Sequence, residues 1–321
     1  MAESTPCIRI GHLQIVDHLI LGMSSLQLNQ DKNLLENIIP EPVPLNSWEQ
    51  ICDNLENGKI DGAFMTVPLA MDLFSSGMDI RLLMLAHRSG SLIVKNKNAG
   101  LEGLSELANK SMLVPSSLSV QAMLLHQFLT AIGLNFGRAD DPESQVVCED
   151  VVPALMPEML ALDQDGDIGG FTVSEPFGRM AIDAGNASLI CPTDSLWKNH
   201  PCCGFVLRQS VIDQYPDGVA RLLAHFMDMA ARLEGEEEGV KISCAQAFLN
   251  QPRERIQHCL EESRVSFSPP SLIPDPEELD AIQTYINENM GLIPQKIPLT
   301  QFLDTSWAEQ AISEQSIENR D

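Results

Sequence analysis

Two stretches decide how this chain is read: Asn57–Pro68, "NGKIDGAFMTVP", and Asp165–Pro176, "DGDIGGFTVSEP". The second follows the first by 108 residues and aligns with it without a gap. In both, an amphipathic helix runs in and stops at a glycine, Gly58 or Gly166, which takes the left-handed conformation cheaply. A short apolar run follows, entered by Ile60 or Ile168, and reads as a buried strand. Gly62 and Gly170 fall inside those strands, where glycine permits close backbone approach. The strands end on Thr66-Val67-Pro68 and Ser174-Glu175-Pro176.

The same grammar extends outward. Cys7–Leu13 reads as a first strand leading into a helix with apolar residues at Ile15, Leu19, Leu21 and Met23. "SWEQICDNLEN" is a helix with Ser47 as N-cap and Gln50 at the capping-box position. "LAMDLFSSG" is a helix stopped at Gly77, and Ile80–Asn96 holds two strands joined around Arg88-Ser89-Gly90. The alternation restarts with "KSMLVPS", "SVQAMLLHQFLTAIG", "SQVVCEDVV", "MPEMLALDQDG" and "DIGGFTVSEP". Strand–helix alternation of this kind indicates a mostly parallel sheet in each of two α/β lobes. The last third is helical, with "EGEEEG" expected as a solvated turn, "SFSPPSLIPDPEE" as a surface connection and "SEQSIENRD" as a frayed end.

Composition narrows the function. The 321 residues suit two domains or lobes, and 44% apolar content supplies a sizeable core. With 45 acidic against 20 basic residues the net charge is −25. That argues against nucleic acid and against anionic membrane surfaces, both of which call for clustered Lys and Arg. An anion would need locally arranged donors. No apolar run reaches transmembrane length, and the start shows no basic segment followed by an apolar one, so neither membrane insertion nor a secretory signal is expected from this chain. The eight cysteines are spread too thinly for a disulfide scaffold and lack zinc-type CxxC spacing, so they read as small buried residues. The adjacent pair Cys202-Cys203 is a poor joint metal ligand without help. No metal, cofactor or catalytic residue is expected, and no G-x-S-x-G elbow is present.

In open parallel sheets, ligands bind beyond the carboxyl ends of the strands. Thr66 and Glu175 stand at two such ends, with His12 and Gln14 at the first. Arg88 and Ser89 stand at another, where a bidentate Arg suits carboxylate, sulfonate or nitrate. Pro115-Ser116-Ser117-Leu118-Ser119 joins a strand to a helix start, and its hydroxyls and free N–H groups suit an anion or simple N-capping.

The stretch from "VPSSLSVQAMLLHQFLTAIGL" through "SEPFGRMAIDAG" to "DSLWKNHPCCGFVL" resembles the nitrate/bicarbonate/sulfonate class of substrate-binding proteins of ABC transporters. Glu175-Pro176-Phe177 and Trp197-x-x-His200-Pro201 carry the match, which spans roughly Ile8 to Phe226. The resemblance implies a periplasmic-binding-protein type II (Venus-flytrap) α/β fold with extra C-terminal helices. Its crossings would lie near Val94 and Gly204, giving lobe one as 1–93 with 204–321 and lobe two as 94–203. It implies a small anion or small polar organic ligand held between the lobes by His12, Gln14, Thr66, Arg88, Ser89, Ser117, Ser119 and Glu175. The partners would be an ABC permease and ATPase, in the periplasm or at the cell surface if a signal was removed. The alternative is a cytosolic sensor of the same fold signalling to a regulatory protein, consistent with a native Met1. Cys202-Cys203-Gly204-Phe205 is also similar to the Cys cluster of the pyrimidine synthase of yeast thiamine biosynthesis, so an enzyme of the thiamine-pyrimidine or menaquinone-precursor type is a third reading. Glu175 would repel an anion unless it orients a cation or binds a metal or amine.

Overall fold

The computed structural model describes residues 6–31, 35, 38–235 and 238–318. Among these described residues, eleven strands form two sheets: β1 (Cys7–His12), β2 (Ile39–Pro44), β3 (Gly62–Thr66), β4 (Ile80–Leu85), β5 (Ser91–Asn96), β6 (Lys110–Val114), β7 (Phe136–Gly137), β8 (Val146–Asp150), β9 (Ile168–Ser174), β10 (Ala187–Pro192) and β11 (Cys203–Arg208). The first sheet has the order β2-β1-β3-β11-β4 and the second β10-β5-β9-β6-β8-β7. Helices α1 (Leu19–Gln30), α2 (Trp48–Glu56) and α3 (Val67–Ser75) belong to the first lobe, and α4 (Val120–Ala131), α5 (Met156–Leu162) and α6 (Phe177–Asp183) to the second. The C-terminal helices are α7 (Gln209–Gln214), α8 (Pro216–Gly235), α9 (Glu238–Leu249), α10 (Arg253–Ser263), α11 (Pro276–Glu288), α12 (Leu299–Phe302) and α13 (Ser306–Glu318). None of the described helices is long and apolar enough to cross a membrane.

The chain passes between the sheets at 86–90 and again at 193–202. Both crossings come earlier than the positions expected near Val94 and Gly204, because all of β5 pairs in the second sheet and all of β11 in the first. The sheets are also less parallel than expected. β11 runs antiparallel to β3 and β4, and β5 runs antiparallel to β9 and β10. The strand adjoining each crossing thus lies beside the strand of the repeat.

That neighbour explains the glycines of the repeat. A Cβ on Gly62 would stand 2.5 Å from the Val206 carbonyl oxygen, and one on Gly170 would overlap the Val94 carbonyl oxygen. Gly58 (φ +66°) follows α2 directly, whereas Gly166 (φ +71°) lies in the turn four residues beyond the end of α5. Ser47 caps α2, its hydroxyl accepting from Gln50 N–H at 3.2 Å, while the Gln50 side chain reaches Asn46 N–H. The strand β2, "IPEPVP", escapes a pattern reading because of its prolines. It is tolerated because β2 is an edge strand and Pro40, Pro42 and Pro44 alternate with residues whose N–H groups face β1. Of the expected acidic turn, residues 236–237 lie outside the described residues; of the expected frayed end, α13 continues through Glu318 and residues 319–321 lie outside.

The cores follow the two lobes. Met112 and Val114 face one side of the second sheet and Leu113 the other, each with its own apolar cluster. The large cluster of the first lobe also takes in Val120, Met123 and Leu124 of α4. The lobes are therefore packed against each other in a closed arrangement.

Candidate functional site

The carboxyl ends of β1, β3, β4, β6 and β9 bring the turns of both lobes together. Val16 N–H, in the turn before α1, donates to the Glu175 carbonyl at 2.8 Å, joining the first lobe to the second. The Ser174 hydroxyl donates to Asp17 Oδ2 at 2.5 Å. Gln121 Nε2, on α4, reaches Ser174 Oγ at 3.1 Å and Ser91 Oγ at 3.2 Å. Asp17, Ser91 and Ser174 are all buried.

Several polar atoms at this junction are buried without a protein partner, which costs about 1–3 kcal/mol each when nothing else satisfies them. They include His18 Nε2, Trp48 Nε1, Thr66 Oγ1, Gln121 Oε1 and Glu175 Oε1. Leu13 N–H donates to His18 Nδ1 at 3.1 Å, and burial holds the imidazole well below its ordinary pKa. Nδ1 lies equally close, 3.1 Å, to the Leu13 carbonyl, so its contacts with Leu13 fit either neutral tautomer, and Nε2 is left without a protein partner. His18 lies edge-on to Trp48 at 5.9 Å and beside Phe64 at 5.7 Å. Thr66 follows Phe64 by two residues on β3 and so lies on the same strand face. The first lobe thus presents three uncharged groups without a protein partner: an imidazole nitrogen, an indole N–H and a hydroxyl. Trp48 and Leu69 face Pro115 and Ser116 of the second lobe across a cavity of about 320 Å³.

The expected ligand residues are distributed unevenly around this junction. Thr66 and Glu175 are at it and fully buried. Burial raises the Glu175 carboxyl to about 8, against the lowering effect of Arg179 N–H, which donates to its Oε2 at 2.9 Å. At neutral pH the group holds its proton, which removes the repulsion expected of it. Ser119 caps α4, accepting from Ala122 N–H at 3.1 Å and donating to the Ser116 carbonyl at 2.6 Å. Ser117 donates to Asp150 at 3.1 Å.

Other residues of that set are directed elsewhere. His12 stacks on Phe248 with ring centroids 5.2 Å apart, and Gln14 donates to the Phe248 carbonyl at 3.3 Å. Both line a separate cavity between the edge of the first sheet, α1 and α9. Arg88 departs most from the expectation. Its guanidinium pairs with Glu278 at 2.6 Å and donates to the Ser271 and Asn199 carbonyls at 2.7 and 3.2 Å. It fastens the C-terminal helices to the crossing. Ser89, with φ 58°, donates to Asp194 at 2.8 Å.

A second group lies at the base of the junction. Asp17, His87, Cys202 and Cys203 are all buried, and one donor atom from each falls within 4.8 Å of all the others. His87 Nε2 is 3.2 Å from Asp17 Oδ2, and Cys203 Sγ is 3.9 Å from the same oxygen. Burial lowers the His87 pKa, but the Asp17 carboxylate overrides it and lifts the group to about 10. A hydrogen bond from Cys203 lowers the Cys202 thiol more than burial raises it, while burial pushes Cys203 well up.

Sequence reasoning missed Asp17, His18, Trp48 and Gln121. The signal for the first two was available: Asp17-His18 is a polar pair inside the apolar run from Ile15 to Leu21. Trp48 and Gln121 are indistinguishable from helix-face residues without the partner lobe.

Comparison with known proteins agrees with this architecture. The model of the NMT1-like family matches residues 2–247. The nitrate/nitrite binding protein NrtA of Nostoc is 26% identical over 235 residues, covering 65% of this chain and 51% of that protein. The nitrate import ATP-binding protein NrtC of Synechococcus elongatus is 29% identical over 220 residues, covering 62% of this chain and 31% of the relative. The chain thus spans about half or less of the length of these curated relatives. Among solved structures, the periplasmic nitrate-binding protein NrtA of Synechocystis superposes with TM-score 0.82 at 18% identity, covering 97% of this chain and 89% of that one. A ligand-binding component of an ABC-type import system of Staphylococcus aureus, solved with zinc bound, gives TM-score 0.82 at 23% identity, covering 95% and 99%. The fold is shared with an enzyme as well: the desulfurization enzyme DszB gives TM-score 0.66 at 15% identity, covering 97% and 99%. The two-lobed periplasmic-binding-protein fold is thereby established.

Proposed function

Since the chain belongs to the NMT1-like family, we propose that it is a solute-binding protein that takes up a small anion or small polar organic ligand between its lobes. Nitrate, bicarbonate and sulfonates are the ligand classes, and an ABC-type permease and ATPase are the partners. The observation that carries this reading is the set of buried, unpartnered polar atoms on His18, Trp48 and Thr66, of which the Trp48 indole N–H and the Thr66 hydroxyl are donors. Such donors gain most from an acceptor that brings charge, because hydrogen bonds to charged groups contribute about 1.5–3 kcal/mol each. A site of neutral donors also avoids the desolvation cost of a buried cation. The protonated Glu175 is compatible with an anion nearby.

Binding and closure are coupled in this scheme. The donors lie on the first lobe, and Ser116 faces Trp48 from the second. An anion between them replaces water as partner to both sides and favours the closed arrangement, in which Val120, Met123 and Leu124 join the first lobe's core. No bond in the ligand changes, so the protein binds without turnover.

A thermal-shift and calorimetric screen of nitrate, bicarbonate, an alkanesulfonate and a pyrimidine-type ligand tests this reading. A true ligand at 100 times its Kd adds about 2.7 kcal/mol of stability. The reading requires at least one anion to stabilise the protein and to be recovered chemically unchanged. Stabilisation by none of them, or turnover of any, overturns it.

A further inference from the structure

We propose that Asp17, His87, Cys202 and Cys203 form a binding site for one zinc-class divalent cation at the point where the chain crosses between the lobes. The site is distinct from the unpartnered atoms of His18, Trp48 and Thr66 and does not depend on the nature of the solute. The four residues come from three separate segments: the turn before α1, the first crossing, and the second crossing where it enters β11. The adjacent thiols, insufficient alone, receive the carboxylate and the imidazole as complementary ligands.

Two of the ligand separations are close to those of four-coordinate zinc, within a group whose donor atoms all lie within 4.8 Å of one another. Tetrahedral bonds of about 2.1 Å to N and O and about 2.3 Å to S place an N···O pair roughly 3.4 Å apart and an S···O pair roughly 3.6 Å apart. The corresponding separations here are 3.2 Å for His87 Nε2 to Asp17 Oδ2 and 3.9 Å for Cys203 Sγ to the same oxygen. Two thiolates and an imidazole select a borderline-soft metal over magnesium or calcium. His87 Nε2 also lies 3.3 Å from Cys203 N–H, which a bound metal would have to displace. The second oxygen of Asp17 and the other ring nitrogen of His87 are buried and unpartnered beside Gly90 and lie outside the ligand set. The outer shell is in place, since the Ser174 hydroxyl already orients Asp17 from the second lobe. On binding, the His87 imidazolium and the two thiols release three protons against the metal's two positive charges, so the occupied cluster carries one more negative charge than the empty one.

The full chain, reduced and stripped with a chelator, is titrated with Co²⁺ as a spectroscopic probe and then with Zn²⁺. One equivalent of Co²⁺ should give the thiolate charge-transfer band and the strong visible bands of a four-coordinate site, and Zn²⁺ should abolish both. Cys202→Ser and Cys203→Ser should each remove the charge-transfer intensity of one thiolate. Ser174→Ala should weaken binding about 10–100-fold, and Cys244→Ser, buried on α9, should change nothing. Alkylation of the unmutated protein supplies a test that no folding defect can obscure. Zinc should slow modification of Cys202 and Cys203 and leave the exposed Cys7 as reactive as before. Absence of the cobalt spectrum, its persistence in the Cys202→Ser/Cys203→Ser double variant, or equal alkylation with and without zinc overturns the proposal.

Discussion

Replacing Trp48 by Phe separates a ligand donor from a core residue, because one role predicts a loss of affinity and the other a loss of stability. Trp48 is 4% exposed, packs edge-on to His18 and has an indole N–H without a protein partner. In the unliganded protein, Phe keeps an aromatic ring in place and removes an unsatisfied donor. Relief of that donor is worth about 1–3 kcal/mol, and lost contact with the missing ring atoms is worth a similar amount in the other direction. Unliganded stability should therefore stay within about 1 kcal/mol of the parent. In the complex the same change removes a hydrogen bond to a charged acceptor, about 1.5–3 kcal/mol. That is a loss of roughly 10–150-fold in affinity. The assay is calorimetry with whichever of nitrate, bicarbonate and an alkanesulfonate most stabilises the parent, paired with urea unfolding of the unliganded proteins. Unchanged affinity refutes the assignment of the indole N–H to the ligand. Destabilisation by 3 kcal/mol or more with unchanged affinity makes Trp48 a plain core residue.

Two further outcomes follow from the repeat. Gly170→Ala forces a Cβ onto the Val94 carbonyl oxygen within the β5–β9 pairing and should cost about 3 kcal/mol or more in denaturant unfolding. Gly169→Ala, whose Cβ meets the end of the buried Leu107 side chain rather than a backbone oxygen, should cost less, about 1–2 kcal/mol; equal costs would discard the close-approach argument. Glu175 titrates near 8 in the folded chain against 4.5 when exposed, so the native state holds a proton that the unfolded state has lost. Its contribution is complete below about 4.5 and declines as pH rises toward 8, by at most about 1.4 kcal/mol per pH unit. Glu175→Gln should flatten the fall in stability over that window, as read by urea unfolding at several pH values. A variant with the parent's pH slope would count against the buried acid.

What could be read from the sequence was local. The repeat declared itself because helix stop, strand and hydroxyl-Pro turn are set by neighbouring residues, and Thr66 and Ser174 duly stand at the junction of the lobes. Arg88 could not be read, since its partner Glu278 lies 190 residues away. A cation at a strand end looks the same whether an anion or a distant helix satisfies it. The same holds for Cys202-Cys203, whose companions Asp17 and His87 are brought in by the turn before α1 and by the first crossing. The unpartnered ring nitrogens of His18 and Trp48 were hidden differently. Their rings belong in an apolar core, and only the absence of a partner for one nitrogen sets them apart.

The strand order has a consequence for biosynthesis. The second sheet uses only strands between Ser91 and Pro192, whereas the first is completed by β11, which lies between β3 and β4. A chain emerging from the ribosome therefore has every strand of its second lobe before its first lobe can close. Until Cys203–Arg208 appears, β3 and β4 have no strand between them, and each exposes a bare edge suited to wrong pairing. The later-encoded lobe should be the first to become resistant to protease in stalled nascent chains, with the earlier-encoded lobe following only after the second crossing has been made.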